Sequence, residues 1–193
     1  ILPDSAYFNR TYGKGKWTRG YLVSLGIGQG NVGVTPLQLA RYAGALANGG
    51  TLYPPHMVKK SVDPQTGAVH RPELSEPQTL PVESEYMKTV REGMRGLVMD
   101  KGVFLQWNGP PAAGKTGTAQ NPHGEDHAWF IGFAPYDDPE IAVAVLVEHG
   151  GFGATVSAPL GGLMIEKYLN GKIASNRRWV YEYVRDRRSK IED

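Results

Sequence analysis

Three extended segments, separated only by short turn-forming stretches, constrain this chain more than any other feature. The middle one, His127–Ala134, alternates Trp129, Ile131 and Phe133 with Ala128, Phe130, Gly132 and Ala134. Both faces of such a strand are apolar, because successive side chains point to opposite sides. A strand apolar on both faces lies inside a sheet that is covered above and below. Ile141–Val147 is apolar throughout, and Pro135–Pro139 turns the chain between the two. Ala113–Ala119 precedes them. Connections this short join antiparallel neighbours, so the spacing predicts a three-stranded meander.

Lys115-Thr116-Gly117-Thr118 lies on the first of these segments, and it admits two readings. Gly109–Thr116 fits the phosphate-loop pattern G-x-x-x-x-G-K-[ST] position for position. That loop must open a helix, whose N-terminal amides cradle the phosphates. After Thr118 the chain runs Ala119-Gln120-Asn121-Pro122-His123-Gly124, with two turn signals and no helical stripe. The phosphate loop is therefore rejected. The other reading is the K-T-G element of serine acyltransferases, which lies on a strand. On that strand Thr116 and Thr118 share one face, Lys115 points to the other, and Gly117 leaves the backbone bare between them. Such an edge accepts an extended substrate beside two hydroxyls and a cation. An ordinary polar edge strand would carry Lys and Thr as well.

A length of 193 residues suffices for one domain with a core, and 40% hydrophobic residues with four Trp mark it as globular. The net charge of +2 gives no argument for a nucleic-acid partner. There is no Cys, hence no disulfide framework or thiolate metal site. No apolar run reaches the length of a membrane span. Ile1-Leu2-Pro3-Asp4 has no signal-peptide pattern, and a start without Met suggests a piece of a longer protein.

Elsewhere the signals are local. Residues 1–33 show no sustained period, with Leu22–Ile27 read as a short buried segment and Gly26–Gly33 as tight turns. Thr35-Pro36-Leu37-Gln38 is a capping box with Pro at the first helical position. The helix it starts carries Leu39, Ala43, Leu46 and Ala47 on one stripe and stops at Asn48-Gly49-Gly50. Residues 51–81 read as strand, turn at Asp63–Gly67, and strand. A helix from Glu83 to about Met99 should bury Met87, Val90, Met94 and Leu97, with Gly93 and Gly96 at a tight crossing. After the Gly150–Gly153 loop, Leu160, Met164, Tyr168 and Leu169 predict a helix lying across the sheet. His123, Glu125, Asp126 and His127 crowd one loop, but no helix fixes their spacing, so a solvated rim is preferred to a metal site. Residues 172–193 are charged and aromatic, and pair Trp179 with Tyr183 and Val180 with Val184 as a weak helix. They read as a basic C-terminal tail or docking helix after a domain of residues 1–171.

The ordered blocks resemble one family. Ser24-Leu25-Gly26-Ile27-Gly28-Gln29-Gly30, Val34–Ala40, Lys115–Gln120, His127–Pro135, Ile141–Glu148, the glycine loop and Ala158-Pro159 are similar, in that order, to class B penicillin-binding proteins. The Ile-Gly-Gln-Gly and Gly-Gly-Phe-Gly wordings are most similar to the branch serving cell elongation. The resemblance implies an α/β (α+β type) fold: an antiparallel sheet flanked by helices, like the penicillin-binding proteins and serine β-lactamases, here incomplete. It implies a peptidoglycan D,D-transpeptidase that acylates a serine with stem peptides, and with β-lactam antibiotics. Lys115 and Thr118 would be its catalytic residues, Lys115 moving protons and the Thr118 N–H forming half of an oxyanion hole. Thr116, Gly117 and Thr118 would bind the substrate carboxylate, with no cofactor and no metal. The resemblance also implies elongation proteins and the N-terminal remainder of the same protein as partners, and a membrane-anchored extracytoplasmic location.

The departure from the family pattern is the nucleophile. None of Ser5, Ser24, Ser61, Ser75, Ser84, Ser157, Ser175 and Ser189 has Lys three residues on, and none begins S-x-N. The chain is thus expected to be the C-terminal part of a transpeptidase domain, inactive alone. Two rivals share the fold: a non-catalytic β-lactam-sensing or scaffold domain, and a serine β-lactamase, against which residues 51–81 and the Ile-Gly-Gln-Gly block argue.

Overall fold

The computed structural model describes residues 3–189. Helices α1 (Ser5–Tyr12), α2 (Gly20–Gly26) and α3 (Pro36–Ala47) precede four two-residue strands. These are β1 (Thr51–Leu52), β2 (Ser61–Val62), β3 (Val69–His70) and β4 (Gln78–Thr79). Helix α4 (Ser84–Met99) leads into β5 (Ala113–Ala119), β6 (His127–Ala134) and β7 (Ile141–Val147). Helix α5 (Ser157–Asn170), a 3-10 turn at Ser175–Arg177 and α6 (Arg178–Ser189) complete the order.

Strands β5, β6 and β7 form the antiparallel meander that the alternation predicts, in that spatial order. Thr116 pairs with Phe130, Gly117 with Trp129 and Thr118 with Ala128. Directly opposed residues share a face. Thr116, Thr118, Ala128 and Phe130 therefore face one layer, and Lys115, Gly117, Ile131 and Phe133 the other. Helix α5 covers the first face. A Cβ at Gly161 would run into the Phe130 ring, and one at Gly162 into Phe104. Ala158 and Ile165 join Phe104, Phe130, Val143 and Val145 in that core. On the second face, Leu46, Ala47, Met87 and Met94 from α3 and α4 enclose Ala113 and Phe133. Phe130 and Phe133 are fully buried, and burial of such a ring contributes about 1.5–3 kcal/mol. Helices on both faces of an antiparallel sheet are the expected architecture.

The cap of α3 forms as read. The Gln38 N–H donates to Thr35 Oγ1 (3.2 Å) and the Thr35 N–H to Gln38 Oε1 (2.8 Å).

Several local readings are corrected. Residues 5–12 are a helix, capped by Asp4 and fastened by an aromatic cluster of Phe8, Tyr12, Trp17 and Tyr21. Leu22–Ile27 is not buried: Val23 is 71% and Ile27 75% exposed, although Tyr21 at the start of α2 packs on Phe8 and Tyr12 of α1. Residues 51–81 form two separate small ladders, β1 with β4 and β2 with β3, since Pro54-Pro55 interrupts the first extended segment. In α4 the buried residues are Met87, Met94 and Val98, whereas Val90 is exposed. Nothing packs on Gly93, and only the nearby Asp100 carboxylate approaches Gly96, so neither marks a crossing. In α5 Met164 and Tyr168 are exposed. The face toward the sheet is the small-residue one, because Phe104 and Phe130 fill the space above Gly161 and Gly162.

Residues 172–189 pack on α5. Arg177 is 1% exposed and pairs with the buried Glu166 at 2.6 Å. Its second terminal nitrogen donates to the Phe104 carbonyl (2.6 Å), and Glu166 Oε1 accepts the Ala174 N–H (2.9 Å). The guanidinium also lies 5.3 Å from the Trp107 ring centre. Val180 and Val184 of α6 are buried beside it.

Candidate active site

Strand β5 is an edge of the sheet. In an antiparallel ladder the N–H and C=O of one residue point to the same side, and the side alternates along the strand. The Thr118 carbonyl accepts the side-chain amide of Gln29 at 3.0 Å, across the edge that β6 leaves open. The Thr118 N–H therefore faces that open edge too. The same parity turns Thr116 outward, and Lys115 Nζ donates to the Thr116 carbonyl at 2.6 Å. Lys115 starts from the opposite side of the pleat, as the alternation requires. Its long stem then brings the exposed ammonium round to the edge.

Gln29 reaches this strand from the turn after α2. Gly28 and Gly30 on either side of it have φ of 76° and 73°. Only glycine adopts that region without strain, so the two glycines shape the turn that presents Gln29. Asn31, two residues on, accepts from the Tyr12 hydroxyl (3.0 Å) and donates to that of Tyr7 (3.2 Å). The aromatic cluster of α1 is thereby tied to the β5 edge.

The Gly150–Gly153 loop closes over the strand. A Cβ at Gly153 would run into the backbone of Gly117 and Trp129. The side-chain direction of Gly117 meets only Trp129 Cβ. Gly153 therefore lies on the other face, the one that carries Thr116 and Thr118. The loop is fixed to α5 by its Gly153 carbonyl, which accepts the Ala158 N–H (2.8 Å) and the Ser157 hydroxyl (3.0 Å).

The Thr116 and Thr118 main-chain groups and the Lys115 ammonium thus lie along one short open edge, whereas the Gly117 main chain turns toward β6. The sequence reading did not find Gln29, whose partner lies 89 residues away, or Gly153. Both lie in blocks that signal family likeness but no chemistry. The His123–His127 loop makes hydrogen bonds within itself and to His149. Among the described residues no group of three or more His, Asp or Glu is placed to hold a metal ion.

A sequence profile described as "Penicillin binding protein transpeptidase domain" matches residues 5–166, so the chain belongs to the penicillin-binding protein transpeptidase family. Within it the chain is of the class B, penicillin-binding protein 2-like kind. It is 31% identical over 196 residues to the peptidoglycan D,D-transpeptidase MrdA of Haemophilus influenzae, covering 89% of this chain and 29% of that protein. It is also similar to penicillin-binding protein A of M. tuberculosis, solved as an imipenem acyl-enzyme complex. That match has a TM-score of 0.67 and 34% identity, over 87% of this chain and 35% of that one. A third likeness is to penicillin-binding protein 2 of Helicobacter pylori, solved in complex with MreC. There the TM-score is 0.66 and the identity 28%, over 89% of this chain and 31% of that one. The chain spans about a third of the length of these relatives.

Proposed function

We propose that this chain supplies the substrate-binding strand of a peptidoglycan D,D-transpeptidase, the serine acyltransferase that cross-links cell-wall stem peptides. The observation that carries the reading is the open edge of β5, along which the Thr118 N–H and the Lys115 ammonium lie, with the Thr116 hydroxyl on the adjoining face. Family membership and the names of the relatives support it.

A serine oxygen attacks the carbonyl carbon between the last two D-Ala residues of a stem peptide. The carbonyl oxygen becomes an oxyanion, and the Thr118 N–H donates to it. A preorganised donor at that position contributes about 3 kcal/mol to the transition state. The C–N bond breaks, the terminal D-Ala leaves with a proton, and an acyl-enzyme remains. An amine of a second stem then attacks the ester and restores the serine. Thr116 and Thr118 hold the substrate's terminal carboxylate, Gly117 allows its close approach, and Lys115 supplies positive charge and moves protons. A β-lactam enters by the same attack and its ring opens onto the serine. The serine is not in this chain, so the chain alone neither acylates nor turns over substrate.

Elongation proteins are the proposed partners, supported by the Helicobacter pylori complex with MreC. The proposed location is the extracytoplasmic face of the cell membrane, with the anchor and the serine supplied by other parts of the protein. No helix among the described residues is long and apolar enough to cross a membrane.

Labelling with a fluorescent penicillin tests the reading. The 193-residue chain stays unlabelled, whereas the same sequence joined to its parent's S-x-x-K segment is labelled. Lys115→Ala in that longer protein slows labelling by roughly 100-fold or more. Covalent label on the short chain, or a parent with no S-x-x-K, sinks the proposal and leaves a non-catalytic domain of the same fold.

A further inference from the structure

His149 comes just after β7 and begins the glycine loop. Its φ is 55°, a left-handed conformation uncommon for a residue with a side chain. Something must hold it there, and two groups do. The His149 N–H donates to Nδ1 of His127 at 3.0 Å. A main-chain N–H can only donate, so His127 Nδ1 is the acceptor and carries no proton. On the other side, His149 Nδ1 lies 3.1 Å from the side-chain amide nitrogen of Asn121. The two imidazoles meet edge to face, their centres 5.0 Å apart.

The same residues knit two loops together. The Asn121 N–H donates to Asp126 Oδ1 (3.1 Å), and the Asn121 side chain to the Glu125 carbonyl (3.3 Å). The Gly151 N–H donates to the Asp126 carbonyl (2.8 Å). The β5–β6 connection is thereby bound to the β7–α5 connection, and the latter lies on Gly117 through Gly153.

We infer that His127, His149 and Asn121 are positioning residues: a latch that seats the glycine loop on Gly117 and so fixes the Thr116–Thr118 edge. The inference rests on the proposed function only for what that edge then does. His127 acts through Nδ1 as an acceptor, with its proton on Nε2. His149 supplies the turn, and Asn121 holds its ring.

Hydrogen exchange on the 15N-labelled 193-residue chain tests this. His127→Ala and Asn121→Ala should each speed exchange at Gly151 and Ala158 by roughly tenfold and shift the Gly117 and Thr118 amide signals. His127→Asn, whose Oδ1 replaces the Nδ1 acceptor, should restore both readouts. Loop and edge amides that stay at their wild-type values, or His127→Asn behaving like His127→Ala, would overturn the latch. Should the Ala variants fail to fold, the tautomer of His127 in the unaltered chain decides by itself. A proton on Nε2 supports the latch and one on Nδ1 ends it. Penicillin labelling enters none of these readouts, so failure of the latch and failure of the acyltransferase reading are separately visible.

Discussion

Two side chains deep in the structure and one missing side chain decide most at the scale of the residue. Gly153 has no room for a methyl group, because the backbones of Gly117 and Trp129 occupy it. Gly153→Ala must lift the loop or bend β5. It should cost about 1–3 kcal/mol in a denaturant titration and displace the Thr118 amide resonance. Arg177 and Glu166 form the buried ion pair. Burial draws the guanidinium below its ordinary pKa and the Glu166 carboxylate pulls it back up. An arginine side chain is not deprotonated in proteins, so the guanidinium keeps its charge. Removing one partner leaves the other charge buried and unpaired. Arg177→Ala should therefore destabilise by about 3–5 kcal/mol, and Glu166→Ala by a similar amount. Far less than the sum should be lost when both are removed, which a double-mutant cycle measures.

At the scale of the element, what was legible is what local chemistry dictates. The start of α3 could be read because Thr35, Pro36 and Gln38 are adjacent and their hydrogen bonds close within one turn. Thr35→Ala should cost about 1 kcal/mol, read from thermal or denaturant unfolding. The strands β5, β6 and β7 could be read from alternation and from turns of few residues. The buried face of α5 was not read, because Gly161 and Gly162 sit on it beside Leu163 and Ile165 and no continuous stripe of large apolar residues marks it. Helix α1 was missed although Asp4 and the spacing of Phe8 and Tyr12 were available signals. Its stability comes from Trp17 and Tyr21, which lie beyond its own end. The turn after β2 adds a pH-dependent detail. Asp63 accepts the N–H groups of Gln65 and Thr66, and the Thr66 bond first, then that of Gln65, lowers its pKa below the ordinary value. A lowered carboxylate pKa stabilises the turn above the unfolded value near 3.8. That stability fades as pH falls through the folded value. NMR titration should place the Asp63 midpoint below that of an unstructured aspartate, with Gln65 and Thr66 amide protection lost on the same acid limb.

The whole molecule depends on contacts that no sequence window contains. Arg177 reaches Phe104 across 73 residues and fastens the C-terminal segment to the core beneath β6. Ending the chain at Gly171 would strip Glu166 of its partner and uncover the surface that Val180 and Val184 bury. Circular dichroism on that shortened chain should show a lower, broader melting transition than on the 193-residue one. The second edge of the sheet, β7, also borders an open groove of about 890 Å³ lined by Leu146, Leu160, Met164, Tyr181 and Val184.

Gln29 has one last effect. By binding the Thr118 carbonyl it moors the turn after α2 to the β5 edge. A carbonyl oxygen has two lone pairs, so an extended chain laid along the edge can still share it. Gln29→Ala would cast that turn loose and leave the carbonyl wholly to such a chain.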